Sequence, residues 1–376
     1  TGSVVRVRAA GVTLEGLDID GRRGGDLGRD ASGVHVAAPR VTIRDCRITD
    51  ALFGVYLREA DDATVQGCTI HGVAGLDPGE KGSGIHAYAS QRFRFEDNLV
   101  VDVRDGLYLQ NSSNGTVRRN RVRDVRYGLH YMFSDDNLFE DNVFERGAAG
   151  SAIMYSERIV FRRNRFVHNR GFASVGLLLQ QCDDVLAEHN LIADNARGVF
   201  LEGTHRVTFR GNVVAQSDAA IVLFASATAT RFEGNTFVGN MSPLNLIGKR
   251  VDLDVDGTYW ADNLEPDLDG DGRSDRAYRL DSVFDHVRGN LTAGDLFSDG
   301  FAAVALGAAE RAFPVLAPVA VEDRAPLARP PALDAVPALA GGSRSRHLPS
   351  KGGFTLAVAA GATTLVRGRA RRGDRA

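Results

Sequence analysis

Cysteine is scarce in this chain: three residues in 376, with no CxxC, leave no zinc ribbon and no thioredoxin-type redox motif. Neither sign of charge dominates. Forty-five basic residues stand against 48 acidic ones, a net charge of -3, so no general nucleic-acid surface and no nucleic-acid partner are expected. Helical periodicity is missing from the central block, which excludes an amphipathic helical bundle there. Two-residue hairpin turns are missing too, which excludes a meander of hairpins. No signal-peptide pattern opens the chain. Val12, Leu14, Leu17 and Ile19 already alternate like strand residues, so the sequence is expected to start within the mature protein. The apolar stretch 352–366 falls short of the roughly 20 residues a membrane span needs.

What is present is a period. Glycines stand at 84, 106, 128 and 150, each followed fourteen residues later by Asn98, Asn120, Asn142 and Asn164, so the repeat is 22 residues long. A fixed period of this size marks stacked repeats. After each Gly, apolar residues fall at the first and third positions: Ile85, Leu107 and Leu109, Leu129 and Tyr131, Ile153. That is strand alternation. A second apolar set follows at Phe93 and Phe95, Val117, Phe139, Ile159 and Phe161, and a third at Val100, Val122, Phe144 and Phe166. Three short strands per repeat can bury their inner faces only by stacking on the next coil. The recurrent Asn suits an amide ladder running from coil to coil. The pattern predicts an all-β fold: a right-handed, single-stranded parallel β-helix of about ten coils of ~22 residues. It is expected over 1–245, with longer steps of 30 residues before Gly84 and 26 before Gly176. Residues 246–320 are expected to form an irregular C-terminal extension, with a short helix over Phe301–Phe313. Residues 321–376 read as a Pro/Ala/Arg-rich linker and a disordered tail, or a membrane-proximal end.

The outward positions of the first strand carry few charges. In coil order they hold His35, Tyr56, His86, Tyr108 and His130 at the second position after the Gly register, and Met132 and Met154 at the fourth. Stacking places Met132 and Met154 about 5 Å apart, with His130 roughly 6–7 Å away on the same face. His86 lies two coils below His130. Thioether and imidazole together favour Cu(I) over hard cations. A surface Met also suits a contact with a partner protein. The rival reading is a polysaccharide-binding or -processing β-helix. Glycoside hydrolysis needs two carboxylates across the bond, and this strand face is expected to hold one, Glu202, and no Asp. A non-catalytic role is therefore expected. Farther along the face, Leu178, Phe200, Val222 and Phe224 form an apolar run that something should cover, with residues 296–320 as the candidate. Cys46 and Cys68 occupy the Asn-ladder position of consecutive coils and read as buried fillers; Cys182 has no evident partner. In the extension, Asp267, Asp269, Asp271 and Asp275, with the Arg273 carbonyl, match successive ligand positions of a calcium loop, although Tyr278 stands where such a loop has Glu. A structural Ca²⁺ is expected there.

The run Arg126-Tyr127-Gly128-Leu129-His130-Tyr131-Met132-Phe133-Ser134-Asp135-Asp136-Asn137, together with Tyr259-Trp260 and the Asp267–Asp275 loop, resembles the NosD family. The resemblance spans roughly residues 10–330. It implies an exported, periplasmic β-helix at the membrane surface that acts with an ABC transporter, the ATPase NosF and the membrane subunit NosY. It further implies a copper chaperone upstream and the nitrous-oxide reductase apoprotein downstream, whose copper–sulfide centre the system assembles. On that resemblance His130, Met132 and Met154, with His86, are the expected Cu(I) residues.

Overall fold

A computed structural model describes residues 2–22, 27–171, 174–248, 252–280 and 321–332. Each repeat folds as three strand segments, the first two merging into one long strand at Ala149–Arg162 and Val175–Glu188. In the coil of Gly106 these are Asp105–Gln110, Thr116–Arg118 and Arg121–Arg123. Every strand pairs in parallel with its counterpart one repeat on: Leu107 with Leu129, Val117 with Phe139, Val122 with Phe144. The strands of Gly84, Gly106, Gly128 and Gly150 are consecutive neighbours in one parallel sheet. The third strands form a sheet of 11, from Asp18–Asp20 to Tyr259–Trp260, in unbroken chain order. The fold is the expected parallel β-helix, and among the described residues its only helical pieces are two single 3-10 turns.

The interior is built as columns. Leu107, Leu109, Phe139, Phe144, Phe161 and Phe166 are all fully buried. Phe139 stacks on Phe161 at 5.1 Å and Phe144 on Phe166 at 5.3 Å, so like residues repeat along the axis. The repeating Gly is forced by this packing. A Cβ on Gly106 would overlap the Val122 side chain and lie 2.6 Å from the Gly128 carbonyl oxygen. The Asn ladder forms as anticipated: Nδ2 of Asn98, Asn120 and Asn142 each donates to the next amide oxygen at 2.9 Å. Cys68 continues it downward, its backbone N–H donating to Asn98 Oδ1 at 2.9 Å, and all three cysteines are free and buried. A second ladder links Ser90, Ser112, Ser134 and Ser156, each hydroxyl accepting from the backbone N–H one coil below. Cys182 is the next residue in that column, one coil above Ser156.

Left-handed residues make the corners. Asp97, Arg119, Asp141 and Arg163, each just before a ladder Asn, have φ between 53° and 57°. They alternate in charge, so bidentate pairs Arg119–Asp97 and Arg163–Asp141 strap successive turns. These pairs are about 40% exposed, so each contributes little beyond fixing register.

Two boundaries move. Pairing does not stop at 245: Leu253–Asp256 pairs with Thr230–Glu233, and Tyr259–Trp260 with Thr236–Phe237. The Gly and Asn markers fade here, but the inward residues Val255 and Trp260 stay buried, and burial is what a coil requires. Residues 321–332, expected within a linker, instead close this end. Glu322–Asp323 pairs antiparallel with Tyr278–Arg279, and the buried Asp323 carboxylate accepts from the Thr258 N–H at 2.9 Å and Trp260 Nε1 at 3.1 Å. Trp260 is held between Phe237 and Tyr278 at 4.4 and 4.8 Å. A solenoid needs such a capped end to keep its last coil from solvent. The helix anticipated at Phe301–Phe313, the candidate cover at 296–320 and the apolar stretch 352–366 lie outside the described residues.

Candidate soft-metal site on the outward strand face

Alternation alone sends the second and fourth residues after each Gly away from the core, and the parallel register then lines them up. The second-position rings become one column. His35 stacks on Tyr56 at 5.3 Å, Tyr56 contacts His86 at 4.6 Å, His86 stacks on Tyr108 at 4.4 Å and Tyr108 on His130 at 4.3 Å, the last pair 7° from parallel.

Half of this column is not open. Tyr56 and His86 are only 6% and 7% exposed. Leu52, Phe53, Tyr56 and Val73 form a satellite core with Leu27, Leu76 and Tyr88, so the insertion in the 30-residue step lies over these coils. Burial, reinforced by the nearby Arg104 charge, pushes His86 down to about 3, so its imidazole is neutral. Neither of its ring nitrogens has a hydrogen-bond partner. His86 and His130 sit against opposite faces of the Tyr108 ring. Imidazole nitrogens bind a metal at about 2 Å, so these two do not converge on one ion. His86 therefore leaves the expected ligand set.

The other three residues lie on adjacent strands of the same face. Met132 and Met154 are register partners in adjacent strands, both half-buried. Tyr108 Oη lies 3.9 Å from Met132 Sδ and 3.3 Å from Gln110 Oε1, so the hydroxyl has an alternative acceptor if the sulfur is engaged. His130, two residues before Met132, is held on three sides: the Tyr108 face, the Tyr127 ring edge-on at 5.2 Å, and Asp105 Oδ2 at 3.2 Å from its Nδ1. Burial pushes the Asp105 carboxyl up, but the hydrogen bond and charge of His130 and the Arg126 guanidinium outweigh it and leave it below the usual carboxylate range. Two thioethers and an imidazole suit a soft monovalent cation and offer no hard oxygen donor.

Sequence reasoning missed Asp105. Alternation places the residue before each Gly on the inner parity, but the chain turns at the Gly, and the register omits Gly106 between the paired Asp105 and Leu107. That column therefore edges the outward face, as Phe53 against Tyr56 and Tyr127 against His130 show. Reading the column before the Gly would have exposed a lone Asp among Ser83, Tyr127 and Ala149. Sequence reasoning also passed over Phe133 and Tyr155, which follow the two methionines. They are 50% and 47% exposed and stacked at 5.1 Å. Both have left-handed backbones, φ 50° and 53°, a strained choice for aromatic residues where the same corner holds Asn111 or Gly203. The apolar run farther along is partly sequestered: Val222 is 4% exposed, and Phe200 and Phe224 pack together at 5.1 Å.

The face does not suit glycoside chemistry. Its aromatic rings stack on one another, so their faces are not offered to sugars. Asp105 is fully buried and ion-paired, and Glu202 accepts from Gln180 at 2.8 Å.

Away from this face, Asp267, Asp269 and Asp271 bring carboxylate oxygens within 4.8 Å of one another. Asp275 instead accepts from the Leu268 N–H at 2.6 Å, and the Arg273 side chain donates to the Ala325 carbonyl at 2.7 Å. The loop docks on the closing segment, Ala328 N–H donating to the Gly272 carbonyl at 3.0 Å.

Residues 72–265 match the family described as the periplasmic copper-binding protein NosD. A "probable ABC transporter binding protein NosD" of Stutzerimonas stutzeri is 30% identical over 350 residues, 88% of this chain and 79% of its own length. The protein of the same description in Pseudomonas aeruginosa is 29% identical over 355 residues, 89% of this chain and 82% of its own. Among solved structures, a periplasmic alginate epimerase AlgG superposes with a TM-score of 0.50 at 12% identity, over 67% of this chain and 75% of that one, a likeness of fold alone.

Proposed function

Because this chain belongs to the NosD family of periplasmic copper-binding proteins, we propose that it is a non-catalytic accessory protein that holds Cu(I) on its outward strand face and hands it on. The metal is cargo. His130, Met132 and Met154 hold it, and the destination is the copper–sulfide centre of nitrous-oxide reductase. The protein works in the periplasm, at the membrane surface, with an ABC transporter made of the NosF ATPase and the NosY membrane subunit. A copper chaperone loads it and the reductase apoprotein receives from it. The observation that carries this reading is the register pairing of Met132 with Met154, half-buried, beside a His130 whose Nδ1 is already occupied by Asp105. Transfer between proteins requires such an accessible, polarisable site, because an incoming ligand must reach the metal before the last one leaves. The names of the two relatives support the transporter partnership. In the same reading the Asp267–Asp271 loop holds a structural Ca²⁺ that ties the closing segment to the last coil.

The test is Cu(I) titration against a competing chelator, on the native chain and on the Met132→Leu, Met154→Leu double variant. Leucine keeps size and apolarity, so each site should lose less than about 1.5 kcal/mol of stability. The double variant should remain folded, lose stoichiometric Cu(I) binding and fail to support maturation of the reductase in cells. Unchanged Cu(I) affinity, or normal maturation, would overturn the assignment and make the face a docking surface.

A further inference from the structure

Asp105 is a buried charge in a place where the fold does not ask for one. It is 0% exposed. Its column, one residue before each repeating Gly, accepts Ser83 below and Tyr127 and Ala149 above without interrupting the strands. Burying a carboxylate costs several kcal/mol before its partners compensate, so a structural column would be expected to drop it. Here the chain surrounds it. Arg126 takes both oxygens, Nε to Oδ1 at 2.9 Å and Nη2 to Oδ2 at 2.8 Å, and Arg104 Nε reaches Oδ2 at 3.3 Å. The bidentate fork fixes the carboxylate plane. The remaining contact of Oδ2 is His130 Nδ1 at 3.2 Å.

An ionised carboxylate only accepts hydrogen bonds, so Nδ1 carries a hydrogen, and in the neutral imidazole Nε2 then keeps the lone pair. A metal needs that lone pair, and a second partner on the other nitrogen is the usual device that orients a ligating imidazole. The ring has little remaining freedom, with Tyr108 parallel to it at 4.3 Å and Tyr127 edge-on. We propose that Asp105, clamped by Arg126, is the positioning residue of the copper site: it selects the Nδ1–H tautomer of His130 and so presents Nε2 to the cation beside Met132 and Met154. This rests on the copper reading of His130 given above.

Long-range proton–nitrogen correlation spectra of the metal-free, ¹⁵N-labelled chain at pH 8 test it directly, with no metal and no variant required. His130 should show Nδ1 protonated and Nε2 unprotonated. In Asp105→Asn, the amide can donate to Nδ1, so the Nε2–H tautomer should appear. Cu(I) affinity should then fall about 10–100-fold, the range typical of lost outer-shell partners, while the circular dichroism spectrum stays that of the native coil. A native His130 already in the Nε2–H form would overturn the proposal even if the variant did not fold. So would a variant whose tautomer switches while Cu(I) affinity stays unchanged. If His130→Ala binds Cu(I) as tightly as the native chain, the copper reading of His130 fails. The proposal then falls with it, whatever the tautomer, and the two failures are told apart by which measurement departs.

Discussion

Removing one rung of the amide ladder should be among the most damaging single changes the coils can suffer, although it deletes no apolar contact. Asn142 is fully buried. Its Oδ1 accepts from the backbone N–H and the Nδ2 of Asn120, at 3.0 and 2.9 Å, and its Nδ2 donates to the Val117 carbonyl at 2.8 Å and to Asn164 Oδ1 at 2.9 Å. Ala at this position preserves the backbone bond to Asn164 but leaves the Asn120 N–H buried and unpaired, while the Val117 carbonyl loses the amide and keeps its strand pairing with the next coil. The Asn120 amide retains the Phe95 carbonyl at 2.8 Å. One orphaned group at about 1–3 kcal/mol, with the lost amide bonds adding about 1 kcal/mol, predicts a loss of about 2–4 kcal/mol, a large share of a typical domain's 5–15 kcal/mol. Asn142→Asp should be worse, because it keeps the acceptors, loses both donors and buries a charge against two carbonyl oxygens. Breaking the exposed corner pair of Asp136 with Arg158 by Asp136→Asn, which suits the left-handed corner (φ 56°), should cost within about 0.5 kcal/mol. Urea unfolding followed by far-UV circular dichroism measures all three. The slope must be watched, since a solenoid that loses a coupling can cease to unfold as one unit. A loss under about 1 kcal/mol for Asn142→Ala, with the slope unchanged, would refute the view that the ladder joins the coils.

Three further outcomes follow from the same contacts. Cys68→Asn should stabilise the fold by about 1 kcal/mol, because the thiol now makes only weak contacts to the Ile43 and Gln66 carbonyls while an amide would extend the ladder to Asn98; a lowered melting temperature would count against it. His86 is held near 3 against an ordinary value of 6.5, so the folded state binds fewer protons and stability drains as pH falls from 6.5 towards 3. Among the groups around it, Arg104 and His130 add to that shift and Asp105 opposes it. The native chain should therefore lose about 1.4 kcal/mol per pH unit more than His86→Phe across that window, and parallel curves would dismiss the effect. Removing Ca²⁺ with a chelator should speed proteolytic cleavage within 257–280 and leave the coils alone, and Asp269→Asn should mimic it; identical digests would mean that the loop holds no ion of structural consequence.

The legible part of this fold is the part that repeats. Period, inward columns, amide ladder and the pairing of Met132 with Met154 all follow from counting in steps of 22, because parallel stacking turns equal spacing into contact. What escaped has no period or sits where the period is interrupted. The insertion in the 30-residue step covers Tyr56 and His86, and nothing in a repeat says where an insertion folds back. Asp105 lies at a chain bend, where alternation assigns the wrong side. The last coil retains burial at Val255 and Trp260 after losing its Gly and Asn, and its closing strand at Glu322–Asp323 comes from more than sixty residues away, a pairing that spacing cannot suggest.

The halves of the ring column with and without the inserted cover bear on transfer. His35, Tyr56, His86, Tyr108 and His130 form one continuous stack, yet the neutral, unpartnered His86 is sealed, while His130 keeps a carboxylate on one nitrogen and leaves the other free. Sealing is a property of the neighbouring insertion, not of the strand, since both histidines occupy the same position in their coils. The two steps from Gly106 to Gly150 carry no inserted residues. A cover there would have to be supplied by another part of the chain or by another molecule, and a partner present only while the cargo is exchanged would be an intermittent one. Two exposed, stacked rings held in strained corners directly after the methionines fit such an intermittent cover, because the isolated coil gains nothing from that strain. In the proposed function, then, the regular 22-residue spacing beside the metal site is itself a requirement: it keeps the thioethers adjacent and the approach to them clear.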